Sequence, residues 1–265
     1  MSRVEQVFAK GKALIPFITA GDPDLKTTEQ LILAMAKAGA DLIELGIPFS
    51  DPVAEGPVIQ LASERALQAG ATTDKILALV SRVRKESDVP LAFMTYINPV
   101  FAYGIDRFMQ DSREAGVDAL IIPDLPFEER EEIIPYCSQY GIELISMIAP
   151  TSRERIRMIA REARGFVYCV SSLGVTGVRE QISTELDKMV EMVKEVQDIP
   201  CAVGFGISSP EQAQQISQTA DGVIVGSAIM QIVEQFGVES VSPVAAFVRE
   251  MKQSIITAGV EEPVQ

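Results

Sequence analysis

Eight times along this chain a short apolar run gives way to a stretch of helical period, and that alternation limits the fold more than any single motif does. The runs are Ala13 to Thr19, Asp41 to Ile47, Pro90 to Tyr96, Asp118 to Pro123, Ile142 to Ala149, Phe166 to Ser171, Cys201 to Phe205 and Gly222 to Val225. Short runs rich in Ile, Leu and Val, bounded by Gly, Pro or Asp, read as buried strands. Helical spacing is found over Thr27 to Gly39, Pro57 to Gly70, Thr73 to Lys85, Ile105 to Ala115, Phe127 to Tyr140 and Ser152 to Ala163. It recurs over Ser183 to Val196, Pro210 to Gln218, Ser227 to Gln235 and Val244 to Ala258. A short amphipathic helix, Ser2 to Lys10, stands in front, and Gly259 to Gln265 reads as a frayed tail.

Strands separated by helical crossovers pair in parallel. Eight such units without a linker or a break in composition predict an α/β fold, one (β/α)8 TIM barrel over residues 1–265. A doubly wound open sheet more often stops at about five or six units. Apolar residues make up 47% of the chain and aromatic ones only 6%, which suits a barrel filled by branched aliphatics.

Charge and missing residue types narrow the function. With 23 basic against 37 acidic residues the formal charge is −14. That excludes nucleic acid and anionic membranes as partners, whose phosphates need a basic footprint. An anionic ligand must then be captured by a local site. The chain has no histidine, so proton transfer falls to carboxylates, Tyr, Lys, Cys or water. Imidazole metal sites and Ser-His or Cys-His nucleophiles are excluded, and no metal is expected. Cys137, Cys169 and Cys201 are too few and scattered for a disulfide framework or a C-x-x-C site. No signal-peptide pattern and no apolar stretch near the ~20 residues of a membrane span are visible, so the chain is expected to be soluble and cytoplasmic.

The stretch Asp41 to Gln60, DLIELGIPFSDPVAEGPVIQ, carries the candidate acids. Glu44 lies mid-strand where an apolar side chain is the default, and a buried carboxylate with a raised pKa suits proton transfer. The plainer alternative is a structural glutamate paired with an unseen cation. The loop beyond holds Asp51 and Glu55, and Pro57 stands where a helix takes its first residue. Asp124, after the fourth strand, is a further carboxylate at the same mouth.

Glycine clusters follow the last three strands: Gly174-Val175-Thr176-Gly177, Gly204-Phe205-Gly206-Ile207-Ser208 and Gly226-Ser227. In such barrels the loops after the seventh and eighth strands, with a short helix N-terminus, often hold phosphate through backbone N–H groups. Ordinary turn punctuation is the bland alternative. Phe17, Tyr96, Tyr168 and Phe205 fall near strand ends, where they could wall a flat apolar group.

Taken together, Glu44 to Pro52 (ELGIPFSDP), Gly174 to Gly177, Gly204 to Ser209 (GFGISS) and Pro16 to Pro23 (PFITAGDP) resemble the tryptophan synthase α chain family over nearly the whole sequence. The resemblance implies retro-aldol cleavage of indole-3-glycerol phosphate to indole and glyceraldehyde 3-phosphate. It implies Glu44 as the main acid–base group and Glu55 as acceptor for the indole N–H, with Tyr168 and Thr176 in support. Gly177, Gly206, Gly226 and Ser227 would hold the phosphate, while Phe17, Tyr96, Ile121 and Phe205 would form the indole slot. The chain would need no cofactor of its own. Its partner would be a pyridoxal-phosphate β chain, in an α2β2 assembly, met by the loop of Asp51 and Pro52, the segment Asn98 to Gly104 and the loop at Gly174. The absence of tryptophan suits an enzyme that makes it.

One position departs from the family's S-D-P-x-A-D-G-P: the second acid is Glu55 in place of aspartate, which implies slow cleavage. The alternatives are an activating subunit of the β chain with little activity of its own, and another phosphate-binding barrel such as a sugar-phosphate isomerase or epimerase. A metal-dependent epimerase would need the histidine ligands this chain lacks.

Overall fold

The computed structural model describes residues 2–170, 179–204 and 206–257. The predicted alternation is present. In chain order the elements are α1 (Arg3–Phe8), β1 (Ala13–Thr19), α2 (Leu25–Ala38), β2 (Ile43–Gly46), α3 (Pro57–Gln68), α4 (Thr73–Val83), β3 (Leu91–Met94), α5 (Ile97–Tyr103) and α6 (Ile105–Ala115). There follow β4 (Ala119–Ile121), α7 (Ile134–Tyr140), β5 (Glu143–Leu144), β6 (Ser146–Ile148), α8 (Arg153–Glu162), β7 (Val167–Val170) and α9 (Arg179–Lys194). The chain continues with β8 (Cys201–Gly204), α10 (Pro210–Thr219), β9 (Gly222–Val225), α11 (Ser227–Phe236) and α12 (Val241–Thr257). The strands order as β5-β4-β3-β2-β1-β9-β8-β7-β6, all paired in parallel. This is a nearly closed TIM barrel ringed by helices.

Three expectations change. The fifth run is not one strand: β5 pairs only with β4 and β6 only with β7, and the ladder changes neighbour at Ile145. The helix expected over Phe127 to Tyr140 is a 3₁₀ segment, Phe127–Glu132, followed by α7. Pro135 explains this, since it has no N–H to donate back and its ring crowds the preceding turn, so it is accommodated only near a helix start. The sequence reading also passed over α5, whose Pro99 sits in the first turn where an N–H is dispensable.

The ends of the helices follow local chemistry. Ser2 and Glu5 form a reciprocal cap on α1, Asp24 caps α2 through Thr27 N–H, and Ser152 caps α8 through Arg155 N–H. All seven residues of β1 are buried, as a strand covered on both faces requires.

The N-terminal end of the barrel repeats one device three times. Asp41, Asp118 and Asp221 each precede a strand and accept the first free N–H of the neighbouring one: Leu14 at 2.7 Å, Leu91 at 3.0 Å and Cys201 at 2.9 Å. Each is held by a cation in a helix or just past one: Lys252 at 2.7 Å, Arg84 at 2.8 Å and Lys194 at 2.9 Å. Strand N–H groups at this rim would otherwise be buried without partners, which costs roughly 1–3 kcal/mol each. Cys169 and Cys201 are fully buried.

Candidate active site

β2 lies between β1 and β3, with Phe17 opposite Glu44 on one side and Ala92 on the other. In this closed setting Glu44 is 1% exposed. Among the described residues neither of its carboxyl oxygens has a hydrogen-bond partner, so the structural ion pair that stood as the plainer alternative is not formed there. Burial first, and then the nearby charge of Glu55, push its pKa up to about 8. Glu44 is therefore a protonated, donating group at neutral pH.

That shift has a measurable consequence for stability. The native state holds this proton more tightly than the unfolded chain, whose carboxyl titrates near 4.5. The contribution is intact below about 4.5, declines as pH rises, and is fully lost above about 8. Glu44→Gln should therefore gain stability over the parent chain between pH 5 and pH 9, with a ceiling of roughly 5 kcal/mol. Paired chemical-denaturation curves at the two pH values test this, and a constant difference between the chains would refute it.

Glu44 opens into a cavity of about 250 Å³ at the C-terminal mouth of the barrel. Glu44 and Glu55 lie on its wall with Gly206, Gly226 and Ser227, and Phe17, Ile59, Met94, Tyr168, Ile207 and Ile224 supply the apolar part. Two glycines give the aromatic walls their room. A Cβ on Gly46 would lie 2.7 Å from the Phe17 ring, and one on Gly204 would lie 2.5 Å from the Tyr168 hydroxyl. Burial and the charge of Glu44 hold the Tyr168 phenol well above its ordinary pKa, so it stays protonated beside the acid.

Glu55 is carried by the loop between β2 and α3. Burial raises its pKa, while the Tyr96 hydroxyl, donating to the carboxylate, opposes that rise. Among the described residues its Oε2 is buried without a partner. Asp51 is exposed and Pro52 half-buried on the same loop, and Ser50 Oγ donates to Asp51.

Gly226 precedes α11, and Ser227 is its first residue. The first N–H groups of a helix have no partner inside it and carry the positive end of its dipole, so this wall has the chemistry to receive an anion. Gly206 has φ +74, a conformation that favours glycine, and it puts backbone alone on the cavity wall. Of the other expected site residues, Thr176, Gly177 and Phe205 lie outside the described residues, as does the loop at Gly174. Tyr96 and Ile121 are buried, but neither is part of the cavity's described lining. Asp124 does not join the acids: its Oδ1 accepts the Ile97 N–H at 3.0 Å and so serves the start of α5.

Sequence reasoning passed over Met94, Ile59 and Ile224, whose only signal is a place near a strand or helix end. It also missed Arg65 on α3, which grips the buried Asp22 at 2.9 and 2.8 Å and reaches Glu234 on α11 at 3.1 Å. A second cavity of about 500 Å³ beside the broken fifth strand shares Ala54 and Met94 with the first and is mostly apolar. Among the described residues no cluster of His, Cys, Asp or Glu is arranged to hold a metal ion, and no helix is long and apolar enough to cross a membrane.

Comparison with known proteins gives a consistent result. The family model for the tryptophan synthase alpha chain matches residues 5–256. The tryptophan synthase alpha chain of Thermoanaerobacter sp. (strain X514) is 47% identical over 260 residues, covering 96% of this chain and 99% of that one. That of Geobacter sulfurreducens is 49% identical over 262 residues, covering 96% and 99%. The crystal structure of tryptophan synthase subunit alpha from Legionella pneumophila superposes with a TM-score of 0.88 at 39% identity, covering 97% of this chain and 99% of that one. With the match spanning both the Glu44 strand and the start of α11, the chain belongs to the tryptophan synthase alpha chain family.

Proposed function

We propose that this chain cleaves indole-3-glycerol phosphate to indole and glyceraldehyde 3-phosphate, the lyase step of tryptophan biosynthesis carried out by its family. One observation carries the reading. Among the described residues three buried carboxyl oxygens lack partners, two on Glu44 and one on Glu55, and they share an apolar cavity with a helix N-terminus. The ligand that completes such a cavity has hydrogen-bond donors and a flat apolar body at one end and an anion at the other.

The steps follow from those groups. Protonated Glu44 gives its proton to the ring carbon bearing the glycerol chain, and the ring nitrogen's lone pair forms the iminium. Glu55 steadies the N–H that then carries positive charge. Glu44, now a carboxylate, takes the proton from the adjacent glycerol hydroxyl. The carbonyl forms, the bond between ring and chain breaks, its electron pair returns to the ring, and Glu44 is protonated again. Tyr168 stands beside Glu44 and Phe17 forms part of the apolar wall, while Gly206, Gly226 and Ser227 hold the phosphate. Tyr96, Ile121 and Phe205 complete the slot, with Gly177 at the phosphate and Thr176 closing over it.

The whole chain works as one barrel domain in the cytoplasm, without a cofactor. Its indole passes to a β chain that carries pyridoxal phosphate, in an α2β2 assembly. The loop of Asp51 and Pro52 and the segment Asn98 to Gly104 face that partner. Support comes from Val53, 77% exposed, and Phe101, 44% exposed, large apolar side chains that a partner would cover. Indole release measured on the isolated chain, then with β chain added, tests the reading. Release seen in neither case would leave only an activating role.

Glu55 has one methylene more than the family's aspartate, on the order of 1.5 Å of reach. Misplacing a catalytic group by ~1 Å can cost about a hundredfold, part of which a movable loop absorbs. Glu55→Asp is therefore expected to raise the cleavage rate about tenfold, roughly 1.4 kcal/mol. Equal rates for the two chains, with and without β chain, would mean that the loop fully re-seats the longer acid.

A further inference from the structure

We propose that Tyr96 and Gln60 are positioning residues that aim the Glu55 carboxylate into the cavity, an inference that rests on the role of Glu55 given above. Tyr96 stands just past β3, 2% exposed, and touches the Glu55 loop at three points. Its ring packs on Phe49 with centroids 5.4 Å apart, its hydroxyl oxygen accepts the Ala54 N–H at 3.1 Å, and its proton is directed to the Glu55 carboxylate. A phenol has one proton, and with Ala54 on its lone pair that proton is left for the acid. Gln60, in the first turn of α3, donates from Nε2 to the main-chain oxygen of Glu55 at 2.8 Å.

Glu55 is thus held by its backbone with the Tyr96 hydroxyl set beside its carboxylate, while among the described residues Oε2 is left unpartnered for the substrate. A glutamate on a loop has more rotamers to lose than an aspartate, so this grip is what lets the longer acid meet a fixed ring nitrogen. The titratable groups set against Glu55 among the described residues are Glu44 on β2 and Tyr96 itself. The Tyr96 hydrogen bond favours the ionised form of Glu55, whereas Gln60 does not touch the carboxylate.

That difference separates positioning from a general structural role. The full chain, as Tyr96→Phe and Gln60→Leu, is assayed for indole release across pH, alone and with β chain, with inorganic phosphate affinity as a control. Tyr96→Phe keeps the ring against Phe49 and is expected to lower kcat about tenfold and move the acid limb of kcat/KM to higher pH. Gln60→Leu is expected to lower kcat by about threefold or more with the limb unmoved. Phosphate affinity stays within about twofold in both, and Tyr96→Phe adds nothing in a Glu55→Gln background. Turnover in Tyr96→Phe within about twofold of the parent, or an equal loss in the Glu55→Gln background, overturns the proposal alone. A parent chain that releases no indole in either setting overturns the functional reading and this proposal with it.

Discussion

Glu44→Gln is expected to lower indole release from indole-3-glycerol phosphate by at least about a hundredfold, roughly 2.7 kcal/mol of transition-state stabilisation. The amide has nearly the shape of the protonated acid, so the cavity and its aromatic walls persist. It can neither give a proton to the ring carbon nor take one from the hydroxyl, and Tyr168, on the same cavity wall, is held protonated well above its ordinary range. KM should change little, because the phosphate seat at α11 is untouched, and kcat carries the loss. Steady-state kinetics on the isolated chain and on its complex with β chain measure both. Near-parental turnover would remove Glu44 from the mechanism. The parent chain should also lose activity as pH rises past about 8, where Glu44 loses the proton it donates.

Gly206→Asp should weaken binding of substrate and of inorganic phosphate together, by about a hundredfold or more. Two effects combine. At φ +74 any side chain strains the backbone, by roughly 1–2 kcal/mol. A carboxylate about 4 Å from a phosphate then adds repulsion of up to roughly 4 kcal/mol per charge pair near a protein surface. Gly206→Ala separates them: it carries the strain without the charge and should show about a tenfold loss. Isothermal titration with inorganic phosphate and with substrate reads the outcome. Unchanged affinity of the aspartate variant for both ligands would mean that the anion sits elsewhere.

Much of this was written locally in the chain. β1 and β9 occupy the ranges that their apolar runs predict, because burial on both faces of a strand leaves an unmistakable run of aliphatics. The helix start at Ser227 after Gly226, and Pro57 at the head of α3, were likewise visible, since caps and first turns draw on adjacent residues only. The alternation of eight such units sufficed for a parallel barrel.

Pairings between distant residues were decided only when the barrel closed. Nothing around Glu44 in the sequence says whether a cation meets it; the register that sets it opposite Phe17 leaves it without a partner among the described residues, and burial, then the charge of Glu55, raises its proton affinity. Asp124 carries the same chemistry in a similar place, yet closure turns it to the Ile97 N–H. Tyr96 read as an aromatic wall, but its hydroxyl meets Ala54, 42 residues earlier. Arg65 joins Asp22 and Glu234 across 43 and 169 residues. Residue patterns over a few turns fix period and burial, whereas which polar atom finds which depends on strand register and closure, and those belong to the whole chain at once.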